Sequence, residues 1–319
     1  MTPDLLRRFV ARAIAAPSVH NVQPARWRIE GEDLVLLEDP TRRLTVGDPT
    51  GHDAAISLGA AAEGAVLAAS AEGYAAQVLR GEGESVARLH FVAGGAPDPL
   101  ADWLDRRASW RGALATPSQA DRDRAAALAG EDRTIITDPA GIMAVAALLD
   151  RASYGFMRDD AFRGELVSWM RLSSRHPRWA RDGLNAAAMK LSRIEAWGAG
   201  LVLGPLFRPL AALGLAPAIL SEAKAFGNAA GVVLFHRPAD EDPFDSGRAF
   251  HRLWLEVEAA GFGANVLAAL ADDKTIAADV AQAHGISEGR RLVSALRIGI
   301  RDGEGFPRAR LPLDEVIVG

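Results

Sequence analysis

The stretch Ala16-Pro17-Ser18-Val19-His20-Asn21-Val22-Gln23-Pro24 does most to limit how this chain can be laid out. Pro17 and Pro24 each fix φ, lack an amide hydrogen, and push the preceding residue out of the helical region. A helix running up to this point must stop, and the segment becomes an ordered turn carrying a hydroxyl, an imidazole and two carboxamides. Two readings stay open on spacing alone. One is a helix stop followed by polar loop residues; the other is a rigid corner whose short polar side chains read the edge of a flat ring.

On the N-terminal side, residues 3–15 place Leu5, Leu6, Phe9, Val10 and Ile14 near one helical face. On the C-terminal side, residues 26–38 predict a hairpin around Gly31-Glu32-Asp33. A helix over 54–72, capped by Asp53 and stopped at Gly73, carries Gly59, Ala60, Ala61 and Gly64, small enough for close helix packing. Strands are expected at 74–79 and 87–92, and the stretch 94–99 is the best linker. Beyond it the pattern predicts a short helix at 99–107, helices at 118–129, 139–151 and 160–172, and a strand at 133–137. A basic, aromatic loop over 171–185 follows. A strand at 229–236, a helix at 247–261, a turn or short strand at 265–271, a core strand at 292–300 and an extended basic tail at 305–312 complete the reading. Scattered strands among many helices fit an α+β chain better than a doubly wound parallel sheet. No Gly-x-Gly-x-x-Gly follows a strand, which argues against a Rossmann site.

Residues 198–220 form the most apolar segment and are long enough to suggest a membrane helix. Pro205, Pro209, Pro217 and the central Arg208 instead predict broken helices over or under a pocket, or an oligomer contact. A net charge of -5 argues against nucleic-acid partners. The absence of cysteine excludes disulfides, thiolate metal sites and cysteine nucleophiles. An opening helix bearing Asp4, Arg7, Arg8 and Arg12 does not read as a secretory signal, so a cytoplasmic protein is expected. Lysine occurs only at 190, 224 and 274, so phosphate clamps here must be built from arginine.

Two arginine pairs are spaced for such a clamp. In Arg107-Ala-Ser109-Trp-Arg111, alternate residues share one side of an extended segment, placing two guanidiniums and a hydroxyl together. Arg308 and Arg310 repeat the spacing near the end of the sequence. Either could equally be a solvated basic segment. The histidines at 52, 90, 236, 251 and 284 lack metal-ligand spacing, and no metal is expected. Ser18 lies near His20, but without a Gly-x-Ser-x-Gly elbow it does not read as a hydrolase nucleophile.

The turn resembles the Pro-Ser-x-x-Asn-x-Gln-Pro-Trp signature of the FMN-dependent nitroreductase superfamily, and in the form Ala-Pro-Ser-Val-His-Asn it is most similar to the Acg branch. The chain reads Pro24-Ala25-Arg26-Trp27 where the signature has Trp directly after Gln-Pro. The 107–111 stretch resembles that family's Arg-x-Ser-x-Arg/Lys phosphate element. Arg308 and Arg310, ahead of Leu313-Asp-Glu-Val316, resemble its C-terminal basic element. Residues 260–271 resemble the loop whose backbone amide faces flavin N5, with Ala264 to Ala269, Ala268 among them, as the residues concerned. The resemblance implies a nitroreductase-like fold, a mixed or antiparallel sheet flanked by helices. Two fused, diverged halves, 1–95 and 96–319, would mimic a nitroreductase dimer, with 198–220 as a lid. It implies one FMN per chain. Pro17, Ser18, Asn21 and Gln23 would face the ring, and Arg107, Ser109, Arg111, Arg308 and Arg310 the phosphate. His20, Trp179 and Asn185 would lie on the substrate side. It further implies hydride transfer from NAD(P)H through flavin N5 to a nitroarene or quinone, without an essential protein acid or base. The alternatives are an Acg-like flavin-storage protein with little turnover, or a specialised flavin-dependent reaction. The expected partners are a small-molecule acceptor, with no nucleic acid and no membrane, in a pseudo-dimeric monomer or a homodimer.

Overall fold

The computed structural model describes residues 1–319. Helix α1 (Pro3–Ala13) starts where the Thr2 hydroxyl accepts the Leu5 amide and buries Leu5, Leu6, Phe9, Val10 and Ala13. The expected hairpin forms as β1 (Ala25–Glu30) and β2 (Asp33–Glu38), turning at Gly31 with φ +64°. Helix α2 (His52–Ala71) is preceded by β2 and followed by β3 (Tyr74–Arg80) and β4 (Ser85–Ala93). Its cap is Gly51 rather than Asp53; the Asp48 carboxylate, at 2.8 Å, accepts the Ala54 amide in the first turn. The four strands form one antiparallel sheet in the order β1-β2-β4-β3, packed on α1 and α2.

The second sheet also is antiparallel, so the α+β reading holds. Helices α3 (Gln119–Ala126), α4 (Pro139–Met157) and α5 (Asp160–Trp169) accompany β5 (Arg133–Ile136), and β6 (Met170–Arg171) pairs with β7 (Leu184–Asn185) in a short parallel ladder. Then come α6 (Arg193–Leu203), α7 (Phe207–Ala212), α8 (Ala216–Leu220), β8 (Gly231–Pro238) and α9 (Pro243–Ala259). The order closes with β9 (Gly263–Val266), α10 (Ala269–Asp272), α11 (Lys274–Ala283), β10 (Arg290–Gly299) and α12 (Leu313–Val316). The sheet runs β5-β8-β10-β9. Along β8, Val232 and Leu234 join α4 and α11 in one core, while Val233 and Phe235 join α9 in another, as a strand covered on both faces requires.

Several boundaries differ from expectation for local reasons. The 99–107 helix is only a 3-10 turn, Pro99–Trp103. Helix α9 begins four residues earlier than the pattern suggests, because Asp242 caps it and Pro243 occupies its first position. Helix α11 has no counterpart in the sequence reading; Asp273 starts it by accepting the Thr275 and Ile276 amides. The apolar 198–220 stretch is broken, as its prolines predict, into pieces of 11, 6 and 5 residues spanning 193–220. The helix long and apolar enough to cross a membrane is α2, and it is buried inside the protein.

Helices α2 and α9 join the two sheets, and they touch backbone to backbone. A Cβ on Gly59 would lie 1.9 Å from the Phe244 carbonyl oxygen, and one on Gly247 would lie 2.1 Å from that of Ile56. Below this crossing the buried Glu63 accepts Arg248 at 3.0 Å and Arg252 at 2.9 Å. His251 sits beside them, fully buried, with Nδ1 2.7 Å from the Ala60 carbonyl and Nε2 unpartnered. Burial, then the nearby Arg107 charge, lowers its pKa to about 3. A lowered histidine leaves the unfolded chain holding more protons below pH 6.5, so its stability contribution is complete above 6.5 and drains away as pH falls. Desolvation raises the Asp53 and Asp272 carboxyls, which act in the opposite sense, so the difference between wild type and His251→Gln isolates the effect. That difference, read by urea unfolding, is expected to shrink by more than about 1 kcal/mol between pH 7 and pH 4; a pH-independent difference refutes it.

Candidate functional site

The turn is built under backbone strain. His20, Asn21 and Gln23 have φ of +43°, +56° and +56°, in the left-handed region that side-chain-bearing residues seldom enter. Side chains hold it there. Ser18 Oγ accepts the Gln23 amide at 3.0 Å, and the Val19 amide donates to Ser57 Oγ at 3.3 Å. Asn21 Nδ2 donates to the carbonyls of Gly183 and Ala309, both at 3.2 Å, while its Oδ1 accepts Arg310 Nη1 at 2.8 Å. Gln23 Nε2 donates to the Arg181 carbonyl at 2.8 Å, and its Oε1 accepts the Leu311 amide at 2.9 Å. The carboxamides of Asn21 and Gln23 are thus committed to protein groups, tying the turn to the tail. Pro17 and Ser18 line a narrow cleft with Trp27 and Ser57. Trp27, three residues beyond Pro24, is fully buried in the first core.

At the tail the arginines converge. Arg107 is 2% exposed, and its Nη2 donates to the Ala15 carbonyl at 2.7 Å; Arg310 Nη2 donates to the same oxygen at 3.2 Å. The Arg107 guanidinium lies 4.4 Å over the Trp254 ring. Arg308 donates to the Asp105 carbonyl, and Arg301 is bound to the Glu258 carboxylate, which also accepts the Ala108 amide. Burial and then the Arg310 and Arg308 charges hold Arg107 well below the usual guanidinium pKa, and burial and then Arg308 lower Arg310 to about 10. The Nε atoms of Arg107 and Arg310 are buried without a partner. Four guanidiniums, one buried carboxylate and two unfilled donors make a cluster whose charge is incomplete. A phosphate monoester has the charge and acceptor oxygens to complete it, so the residues fit the phosphate of FMN.

Arg111 makes no ion pair or hydrogen bond with this cluster; the carboxylate acting on its guanidinium is Glu222, and its own charge acts on Arg297 and on the His20 ring. Arg107 still closes the preceding turn, its amide bonded 3.0 Å from the Trp103 carbonyl. Extended pairing begins only at Ser109, which bridges Ala264, with Trp110 donating to the Ala264 carbonyl at 2.6 Å. Ala268 follows β9 immediately before α10, and its amide donates to no protein acceptor. Asn185 is buried, donating to the Trp179 carbonyl at 3.1 Å and accepting the Ala188 amide at 2.7 Å, so both residues shape the 171–185 loop. That loop folds around Asp182, which is fully buried and accepts Arg42, Arg171 and Arg178. His20 Nδ1 is buried and unpartnered, and burial, with the Arg111 charge second, lowers its pKa to about 4, so the ring is neutral at pH 7. Sequence reasoning missed Arg297, Arg301 and Glu258, and took in Asn265 only as part of the 264–269 backbone loop. The signal was available for Arg297, a charged residue inside the otherwise apolar 292–300 run.

No family model matches the chain. Among curated proteins it is similar to "Putative NAD(P)H nitroreductase Rv3131" of Mycobacterium tuberculosis, 28% identical over 176 residues, covering 52% of this chain and 51% of the relative. It is also similar to "Putative NAD(P)H nitroreductase acg" of the same organism, 36% identical over 80 residues, covering 25% of this chain and 24% of the relative. The chain therefore spans about half the length of the first of these relatives and about a quarter of the second. Among solved structures it is similar to the FMN-dependent nitroreductase NfnB from Mycobacterium smegmatis in complex with NADPH, at 18% identity and TM-score 0.38, covering 69% of this chain and 97% of that one. A BluB-like flavoprotein from Clostridium difficile 630 gives 15% identity and TM-score 0.39, covering 70% and 99%.

Proposed function

We propose that this chain, a relative of the Acg-type nitroreductases, binds FMN and passes hydride from NAD(P)H to an electron-poor small molecule such as a nitroarene or quinone. The observation that carries the reading is the charge-incomplete cluster of buried Arg107 with half-buried Arg308 and Arg310, anchored on the Ala15 carbonyl and bonded through Arg310 to the strained turn. These arginines would hold the phosphate. Pro17, Ser18 and the free Ala268 amide would border the ring. Bound flavin supplies the hydride chemistry at N5, which no side chain here can perform.

The remaining residues position and exclude. Asn21 and Gln23 fix the turn against the tail, so the two ends of the pocket move as one piece. Glu258 offsets part of the arginine charge and orients Arg301. The neutral His20 can donate or accept a hydrogen bond without adding charge. The stretch 1–95 contributes the turn and 96–319 the arginines, which supports one cofactor per chain in a pseudo-dimeric arrangement.

The purified protein is expected to be yellow, with one FMN per chain, and to bleach within seconds when mixed anaerobically with NADPH or NADH. Persistent colour after mixing favours flavin storage instead. A colourless protein that takes up no added FMN removes the reading altogether.

A further inference from the structure

A basin of about 540 Å³ lies where the segment after β2 meets the end of α5 and the 171–185 loop. Its volume is that of a small-molecule pocket, but its wall is polar, with Trp169 as the single hydrophobic residue. Arg26, Arg42, Arg43, Arg171 and Arg178 line it, against three acids, Asp39, Glu165 and Glu315. Composition does not explain so cationic a wall, because the whole chain carries a charge of -5. The acids are already engaged. Asp39 accepts Arg26 at 2.7 Å and the Thr41 amide at 3.0 Å. Glu165 accepts the amides of Thr45, Val46 and Gly47 at 2.6, 3.1 and 2.7 Å, and Glu315 is paired with Arg181. Behind the wall, Arg42, Arg171 and Arg178 share the fully buried Asp182 at 2.8, 2.9 and 2.8 Å.

Three cations on one carboxylate leave that group with positive charge in excess, and Glu165, its charge spread over three amides, offsets only part of it. Open donors remain as well. Arg26 Nε, Arg43 Nη1 and Arg178 Nη1 donate to no protein acceptor. The Arg43 and Arg178 side chains are 51% and 42% exposed, so a solute can reach them. The arginine cluster at the tail does not account for this basin. The two share no bonded side chains, and the basin has no lining residue in common with the cleft at Pro17 and Ser18. It meets the flavin reading only through the turn, whose Val22 and Gln23 carbonyls accept Arg42 and Arg26. Open donors on three separate guanidiniums suit a tetrahedral group with three acceptor oxygens better than a planar carboxylate with two. We propose that this basin is a second anion site, which takes the phosphate monoester of a small molecule on Arg26, Arg43 and Arg178. The site does not depend on the flavoenzyme reading.

The test is calorimetric titration of the full chain, saturated with FMN, with ribose 5-phosphate at constant ionic strength. Saturable binding is expected, with none for ribose and at least about tenfold weaker binding for acetate. Arg178→Gln is expected to weaken the phosphate at least about tenfold while the flavin is retained. Ser168 lines the basin and its hydroxyl bonds only to the Glu165 carbonyl, so Ser168→Asp adds a negative charge there without breaking an ion pair. It is expected to weaken binding by at least as much, and it decides the matter if Arg178→Gln does not fold. No saturable binding below about 10 mM overturns the proposal. So does acetate binding as tightly as ribose 5-phosphate, or binding that Ser168→Asp leaves unchanged. If the protein proves to hold no FMN, the flavoenzyme reading falls while the basin is still read. Binding that survives Arg107→Ala and is lost in Ser168→Asp then supports the site, and the reverse pattern gives the ligand to the arginine cluster and overturns it.

Discussion

Arg107→Ala combined with Arg310→Ala is expected to yield a folded protein that purifies without its yellow colour. The two guanidiniums converge on one carbonyl and carry the unfilled Nε donors, so a phosphate between them would take charge-assisted bonds from both. Such bonds contribute roughly 1.5–3 kcal/mol each, so removing both should weaken FMN by about a hundredfold to ten-thousandfold. Folding should suffer less, because the substitution also removes two mutually repelling cations, Arg107 buried and Arg310 half-buried. The turn loses one contact, the Asn21 Oδ1 bond to Arg310, but keeps those through Ser18 and Gln23. Fluorescence titration with FMN measures the loss, and circular dichroism checks the fold. Full colour in the double variant would place the phosphate elsewhere.

Gly59→Val should be the most damaging single change in the core. The added Cβ would sit 1.9 Å from the Phe244 carbonyl oxygen, a backbone atom that cannot rotate away, so α2 and α9 must separate. Overpacking a helix contact typically costs about 1–3 kcal/mol, and a backbone clash at the junction of two sheets belongs at or beyond the upper end. Gly155→Ala provides the contrast. Nothing lies within 4 Å of a Cβ there, and it lies in α4, so the same glycine-to-side-chain change should stabilise by about 0.5–1 kcal/mol. A urea midpoint for Gly59→Val that matches or exceeds wild type would show that the α2–α9 approach is looser than described, and one for Gly155→Ala that falls would refute the contrast.

The difference between these glycines marks how far the sequence could be read. Small residues along α2 announce a close helix neighbour, and the prolines at 17 and 24 announce the turn, because both effects are local and steric. Partners distant in sequence are another matter. Nothing near Asn21 indicates that its carboxamide meets Arg310, or that Gln23 meets Leu311, and the ring-facing expectation for both came from resemblance alone. The alternation over 107–111 follows from spacing, but nothing in those residues shows that the Arg107 amide is still bonded back to the Trp103 carbonyl. Helix α11 escaped notice because its start depends on Asp273, an unremarkable acid until its side chain is seen accepting two amides. Asp182, one acid in the basic, aromatic 171–185 loop, is the buried centre of three arginines, since one fully desolvated carboxylate can organise a cationic segment that would otherwise repel itself.

The tie between the strained turn and Arg310 also sets an order of events during synthesis. Both sheets are complete by residue 299, and the turn at residues 17–23 gains its bonds to Arg310 and Leu311 only once the later tail has been made. Both sheets can therefore assemble before Arg308 and Arg310 are available to the turn, and a phosphate held as proposed would add to a scaffold already formed.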